Sequence, residues 1–324
     1  MRRFVLTLLY VSSALISSAG FLQAHAADNW TTLQKAAVAA HALSYQGIFV
    51  YQTTQQATAV QITHLFNGQG EYARNVVLDG TPREVFSQGH DLVIFNPKSE
   101  HVVIEKRRAQ NMFPATLPVD LSSVKESYEL KIGEIERVAD RAAQVIYLQP
   151  KDGLRYQYKC WVDLEYGLLL KTEMTDSHNA LIETIGFNQV ALMHTLDLDW
   201  FQPKIDSKKS YIMEEAVSEL VTTPSLPSWT IKSAPVGYKL IEQNVKMVHG
   251  KNIPLTHLVF SDGLASVSLF IEPVLRGAKV KVGRVSDGFT SYFASVSSGY
   301  QITAVGEVPE ATVEKFASAV RFKK

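Results

Sequence analysis

The sequence predicts an α+β protein that is mostly antiparallel β, built as two sheet domains in series. Three observations carry this reading. Short apolar runs of strand length fill Tyr45 to about Met193 and resume at Trp229. No helical run separates neighbouring strands within either stretch, so hairpin pairing is expected. Asn67-Gly68, Asp79-Gly80 and Asp152-Gly153 suit the tight turns of such hairpins. Helical spacing is clearest near the two ends, over Asp28–Leu43 and from Pro309.

Residues 1–26 read as a secretory signal peptide. Arg2 and Arg3 precede an apolar run from Phe4 to Ile16, and Ala24-His25-Ala26 forms an A-x-A processing pattern. The run falls short of the about 20 residues that span a bilayer. No cysteine lies near the processing site to take a lipid. The expected mature chain starts at Ala27, works outside the cytoplasm and holds about 298 residues, enough for two domains. It carries 30 basic and 32 acidic residues, a net of −2. That balance argues against nucleic acid as the main partner.

The first domain is expected over 27–194. Its helix carries Trp30, Leu33, Ala37, Ala40 and Leu43 at helical spacing. The strands that follow should form a strongly curved sheet or half-barrel packed on this helix. Gly133 breaks the alternation of Tyr128, Leu130 and Ile132, and a bulge there restores the register for Ile135. Arg107 to Ser123 has no strand pattern and contains Met112, Phe113, Pro114, Leu117 and Pro118. Such an apolar, proline-broken loop is either a core plug or a lid. Cys160 is the only cysteine, so no intrachain disulfide exists. On an alternating strand it shares a face with Tyr156, Tyr158 and Val162, which places it in the interior.

Residues 195–227, rich in Asp, Lys, Ser and Pro, read as a linker with a short helix near Ile212–Val221. The second domain, 228–324, repeats the strand pattern and closes with a helix. Pro309 suits its first turn, and Val313, Phe316, Ala317 and Val320 form one apolar stripe that should cover the sheet.

Motifs for chemistry are few. Gly68–Ala73 fits G-x-G-x-x-A but opens no helix, so it is read as a hairpin turn rather than a pyrophosphate cradle. G-x-S-x-G, H-E-x-x-H and C-x-x-C are absent, and the histidines lack ligand spacing. Carboxylate pairs such as Glu134 with Glu136 are read as solvated faces. The expectation is no catalytic residue, no metal and no cofactor. Two basic groups remain: Lys106, Arg107 and Arg108 ahead of the apolar loop, and Arg276, Lys279, Lys281 and Arg284 among valines. They read either as charged edges that discourage aggregation or as contacts for an anionic partner.

Three segments then carry a family resemblance: Asp79–Val85 (DGTPREV), Arg137–Asp176 (RVADRAAQVIYLQPKDGLRYQYKCWVDLEYGLLLKTEMTD), and His257–Glu272 (HLVFSDGLASVSLFIE) followed by Ala304–Pro309 (AVGEVP). Together they resemble the RseB/MucB family of periplasmic regulators of the sigma-E envelope-stress response. The resemblance runs over essentially the whole mature chain. It implies a LolA/LolB-like N-terminal half-barrel with helices around an apolar cavity, followed by a smaller C-terminal α/β domain. It further implies a non-enzymatic regulator that binds the periplasmic part of an RseA/MucA-like anti-sigma factor and shields it from its first proteolytic cut. Lipid or lipopolysaccharide would release it, and homo-oligomers are expected.

Residue assignments within this picture rest on local chemistry and not on family motifs. Met112, Phe113 and Leu117 are assigned to acyl chains and Arg107 and Arg108 to lipid phosphates. Arg276, Lys281 and Arg284 are assigned to the anti-sigma factor, and Asp262 and Gly263 read as turn-formers. The competing readings are a periplasmic lipid or lipoprotein carrier, which would not need a second domain, and a secreted hydrolase, for which no nucleophile motif exists.

Overall fold

The computed structural model describes residues 19–89, 91–96, 101–106, 112–193, 197–204, 212–215, 229–248, 253–275, 277 and 280–322. Most of the signal segment, Arg107, Arg108 and Arg276 therefore lie outside the described residues. Helix α1 spans Ala19–Ala42. It starts earlier than its apolar spacing suggests and runs through Ala26, because the preceding residues are mostly good helix formers. Leu33, Ala36, Ala37 and Ala40 are almost fully buried. Small alanine side chains let the helix approach the sheet closely. No helix among the described residues is long and apolar enough to cross a membrane.

The larger sheet begins with β1 (Tyr45–Thr53), β2 (Ala57–Phe66), β3 (Glu71–Val77), β4 (Glu84–Gln88), β5 (Asp91–Phe95) and β6 (His101–Lys106). A short helix α2 (Ser122–Ser127) precedes β7 (Tyr128–Val138), β8 (Arg141–Pro150), β9 (Gln157–Asp163), β10 (Leu169–Thr175) and β11 (Leu181–Leu192). Both runs are hairpin successions, and β1 joins them by pairing antiparallel with β2 and with β11. The Gly68 motif is the hairpin turn between β2 and β3, where Asn67 Oδ1 accepts the amides of Gln69 and Gly70.

Two elements depart from the expectation: α2 is a helix between β6 and β7, inside a stretch expected to hold strands alone, and a strand replaces an expected helix. Ile212–Glu215 forms a strand, β12, parallel to β6 at the edge of this sheet, where a short helix was expected. Four residues cannot establish a period, and the strand conformation comes from a partner more than a hundred residues earlier. Residues 216–221 of that expected helix lie outside the described residues.

The bulge forms where the alternation fails, between Ile132 and Ile135. A Cβ on Gly133 would stand 2.8 Å from the Tyr147 ring, so the close approach needs glycine. Residues 112–121 form a plug. Phe113, Ala115, Leu117 and Leu121 are buried, and the Phe113 ring lies 5.1 Å from Phe49 and 5.0 Å from Phe187. Aromatic edges meeting at these separations add to the burial energy. Cys160 is buried in the same core, as its alternation predicts.

The smaller unit contains β13 (Trp229–Ile231), β14 (Lys239–Val248), β15 (Ile253–Ser261), β16 (Ser266–Pro273), β17 (Gly283–Asp287), β18 (Thr290–Ser297), β19 (Tyr300–Gly306), helix α3 (Glu310–Ser318) and β20 (Val320–Phe322). Six of its strands form an antiparallel sheet in the order β14-β15-β16-β19-β18-β17, and β13 pairs with β20. Pro309 occupies the cap of α3 rather than its first turn, and Val320 falls on β20. Val313, Phe316 and Ala317 still bury the expected stripe, together with Leu258, Leu269 and Ile302. On β16, Val267, Leu269 and Ile271 are buried while Ser266 and Ser268 are not. The smaller sheet thus presents hydroxyls on its second face.

Candidate functional site between the two sheets

The second face of the smaller sheet is held against the larger one by a buried polar joint. The loop after β8 turns at Asp152-Gly153 and delivers Arg155, whose side chain is fully buried. Its Nε donates to Asp262 Oδ2 at 2.6 Å, Nη1 to Asp152 Oδ2 at 2.6 Å, and Nη2 to the Val236 carbonyl at 2.5 Å. The guanidinium lies 4.5 Å over the Tyr238 ring. Planar geometry and five donors suit arginine to such a site. Asp262 is fully buried too, and its Oδ1 accepts the amides of Leu264 and Ala265. It is therefore a turn-former, as the sequence indicates, and also the ionic partner of the larger domain.

Two further contacts complete the joint. Thr312 Oγ1, at the start of α3, donates to the Leu154 carbonyl at 2.7 Å. Gly263 has φ +98° and packs against Pro118 of the plug and Val124 of α2, so the smaller domain's turn rests on the plug and the helix that follows it. Two of the segments that carry the family resemblance, Arg137–Asp176 and His257–Glu272, meet here.

Beside the joint lies a cavity of about 520 Å³ lined from both sheets. The wall from the larger sheet is largely apolar, with Phe113, Leu117, Leu148, Met174 and Ile185. The wall from the smaller sheet is mixed, with Val259 and Val305 beside Ser266, Ser268, His257 and Thr290. An enclosure with one oily and one hydroxylated wall can hold an amphiphile. Cys160 also lines it, and burial pushes its thiol up to about 12. The thiol therefore stays protonated and packs as an apolar group. Three carboxyls line the cavity: Glu183 on β11, which accepts a hydrogen bond from the Tyr51 hydroxyl, Glu242 on β14, which accepts from Asn244, and Glu307 just after β19. Burial raises the pKa of Glu183, whereas Glu307 is exposed.

The structure distributes the sequence-assigned residues unevenly. Phe113 and Leu117 line the cavity, whereas Met112 is exposed and does not. Both Lys281, just before the edge strand β17, and Arg284, on it, are exposed, and the Arg284 guanidinium is paired with Glu314 of α3. Arg155, Glu183 and Glu307 were missed by sequence reasoning, because their partners lie far away in the chain. Among the described residues, no three His, Cys, Asp or Glu side chains converge as metal ligands would. Glu136, read as part of a solvated pair, does sit on an exposed face, where it accepts from Trp161 Nε1 at 2.8 Å and Lys159 Nζ at 3.0 Å.

Comparison with known proteins adds a family to this geometry. Residues 28–205 match the MucB/RseB N-terminal domain, and residues 223–321 match the MucB/RseB C-terminal domain. The sigma-E factor regulatory protein RseB of Haemophilus influenzae is 25% identical over 298 residues, covering 90% of each chain. The sigma factor AlgU regulatory protein MucB of Pseudomonas aeruginosa is 28% identical over 305 residues, covering 92% of each. A crystal structure of MucB in complex with MucA(peri) superposes with a TM-score of 0.72 at 25% identity, covering 92% of this chain and 100% of that one. A second structure, of the Pseudomonas aeruginosa MucA/MucB complex, gives 0.73 at 25% identity.

Proposed function

The chain belongs to the MucB/RseB family, and from that premise we propose that it is a periplasmic negative regulator of a sigma-E-type stress response. It binds the periplasmic part of a MucA/RseA-like anti-sigma factor and shields it from regulated proteolysis. The observation that carries this reading is the end-to-end correspondence, in order, with MucB in its complex with MucA(peri). The relatives named above are regulatory proteins and not enzymes.

Lipid or lipopolysaccharide is the releasing signal in this reading. The apolar wall at Phe113 and Leu117 supports it, and Arg107 and Arg108 are assigned to phosphate groups. Release by lipid requires that lipid and anti-sigma factor favour different states of the chain, and the coupling must be reciprocal. Lys281 and Arg284, at the outer edge of the smaller sheet, are assigned to the anti-sigma factor, and Arg276 is assigned with them. Homo-oligomer formation belongs to the same proposal.

A lipid or lipoprotein carrier is the second reading, and the cavity favours it. The fully buried joint at Arg155 opposes it, since a carrier has no use for a second sheet fastened beside its cavity. A protease-protection assay separates the two. The purified chain should slow cleavage of its host's anti-sigma periplasmic segment by the first-acting protease. Cleavage at the same rate with and without the chain, together with lipid that co-purifies in stoichiometric amount, would favour the carrier.

A further inference from the structure

We propose that the cavity between the two sheets takes an amphiphile with a cationic head and turns away anionic heads carried on the same hydrocarbon chain. The inference goes beyond the proposed function, and it holds whether the protein is a regulator or a carrier. At about 520 Å³ the enclosure has the size of a small-molecule site. Its oily wall accepts a hydrocarbon chain. Its polar lining decides the head: hydroxyls, one histidine and three carboxyls, with no lysine or arginine among the described residues that line it.

The carboxyls are spread around the enclosure and do not form one cluster. Register places Glu242, Val259, Ser268 and Val305 in a single row across β14, β15, β16 and β19. Three strand spacings of about 4.8 Å put the backbones of Glu242 and Val305 about 14 Å apart. Glu307 lies two residues beyond Val305, on the same face. Glu183 stands on the facing wall, where β11 pairs with Thr53 of β1 and Met174 of β10. Glu307 is exposed, and Glu183 and Glu242 are half-buried. A head group resting on the hydroxylated wall therefore has a carboxyl toward each end of the row and a third across from it.

The neighbours supply no cation to offset these charges. Among the described residues none of the three carboxyls forms an ion pair; the Tyr51 hydroxyl donates to Glu183 and the Asn244 amide to Glu242. The Arg155 guanidinium at the joint is taken up by Asp262 and Asp152. The His257 ring is stacked on Phe270 and bonded to Ser268. Two lining hydroxyls are free to bond a ligand oxygen: Thr116 Oγ1, buried without a hydrogen-bond partner, and that of Tyr158, which makes no hydrogen bond among the described residues. A phosphate or carboxylate head placed here would meet like charge with no counter-charge, at a cost that partial burial increases. An ammonium head would meet opposite charge at the same places. A phosphate-bearing lipid can lodge its chain here only with the phosphate left outside.

The test titrates the full mature chain with two amphiphiles that share a dodecyl chain, dodecyltrimethylammonium and dodecyl phosphate. Calorimetry is run below their micelle concentrations at about pH 8, where an ordinary imidazole is neutral. The ammonium amphiphile should bind at least about tenfold tighter than the phosphate. Glu183→Gln, Glu242→Gln and Glu307→Gln should each narrow the gap, and the triple variant should bring the two affinities together. Glu134→Gln, on β7 and outside the cavity lining, should leave the gap intact. Phosphate binding as tight as ammonium binding overturns the proposal. So does a gap that survives in the triple variant, or one that closes equally in Glu134→Gln. Failure of both amphiphiles to bind overturns it too. No anti-sigma segment is present, so these results are separate from the success or failure of the regulatory reading.

Discussion

Replacing Arg155 by alanine removes the centre of the joint. The lost side chain makes three hydrogen bonds, two of them to carboxylates, and stacks on Tyr238. It also leaves Asp262, which is fully buried, without a counter-charge. Breaking a buried pair by deleting one partner costs about 3–5 kcal/mol, most of it from the charge left behind. Asp152 contributes less, because it is about a third exposed. Asp262→Asn provides the complementary perturbation: it keeps the acceptor for the Leu264 and Ala265 amides but removes the buried counter-charge, leaving the guanidinium only the partly exposed Asp152. Urea unfolding should place each single variant about 3–5 kcal/mol below the parent chain. The double variant strands no charge, so it should recover at least about 1–2 kcal/mol relative to the sum of the singles. Loss of docking between the sheets should also separate the unfolding of the two units into distinct transitions. An Arg155→Ala chain within about 0.5 kcal/mol of the parent, or strictly additive singles, would refute the assignment of a buried ionic joint.

Three smaller perturbations probe other parts of the account. Cys160 should resist thiol reagents in the native chain at pH 8 and react at once in denaturant, because burial pushes its pKa up to about 12; fast native labelling would contradict its place in the core. Gly47→Ala would set a Cβ 2.6 Å from the Gln189 carbonyl and 2.8 Å from the Phe187 ring. It should destabilise by about 1–3 kcal/mol in thermal or urea unfolding, and a neutral result would mean that β1 and β11 pair differently. Glu71 is held well below the usual carboxylate range: burial works to raise it, but hydrogen bonds and charge from His41 and His64 outweigh burial. Its contribution is present above the ordinary value of 4.5 and is lost as pH falls below it. Glu71→Gln should therefore lower stability near neutrality and flatten the acid side of the stability–pH profile, and a parallel profile would count against it.

The strand segments and their antiparallel hairpin pairing were largely legible, since alternation and turn pairs are local signals. Gly133 announced its bulge because alternation fails there and nowhere else nearby. The plug and lid readings of residues 112–121 could not be separated by pattern, since an apolar loop looks alike in both cases. The aromatic contacts of Phe113 with Phe49 and Phe187 decide for the plug. Strand β12 was misread because its partner, β6, is remote and parallel. The joint was invisible for the same reason: Arg155 and Asp262 are 107 residues apart. Asp262 showed its turn-forming role, which involves its neighbours, and hid its ionic role, which does not. Glu183 carried no signal at all, because a carboxyl becomes unusual only when the fold buries it.

The most direct test of the regulatory account is a binding titration of the mature chain, Ala27–Lys324, against the periplasmic segment of its host's MucA/RseA-like anti-sigma factor. It should be run with and without lipopolysaccharide, by calorimetry or anisotropy. The account predicts specific binding that lipid weakens, with the same factor recovered when lipid binding is measured with and without the segment. No binding to the segment, or binding that lipid leaves unchanged while lipid itself binds, would contradict it.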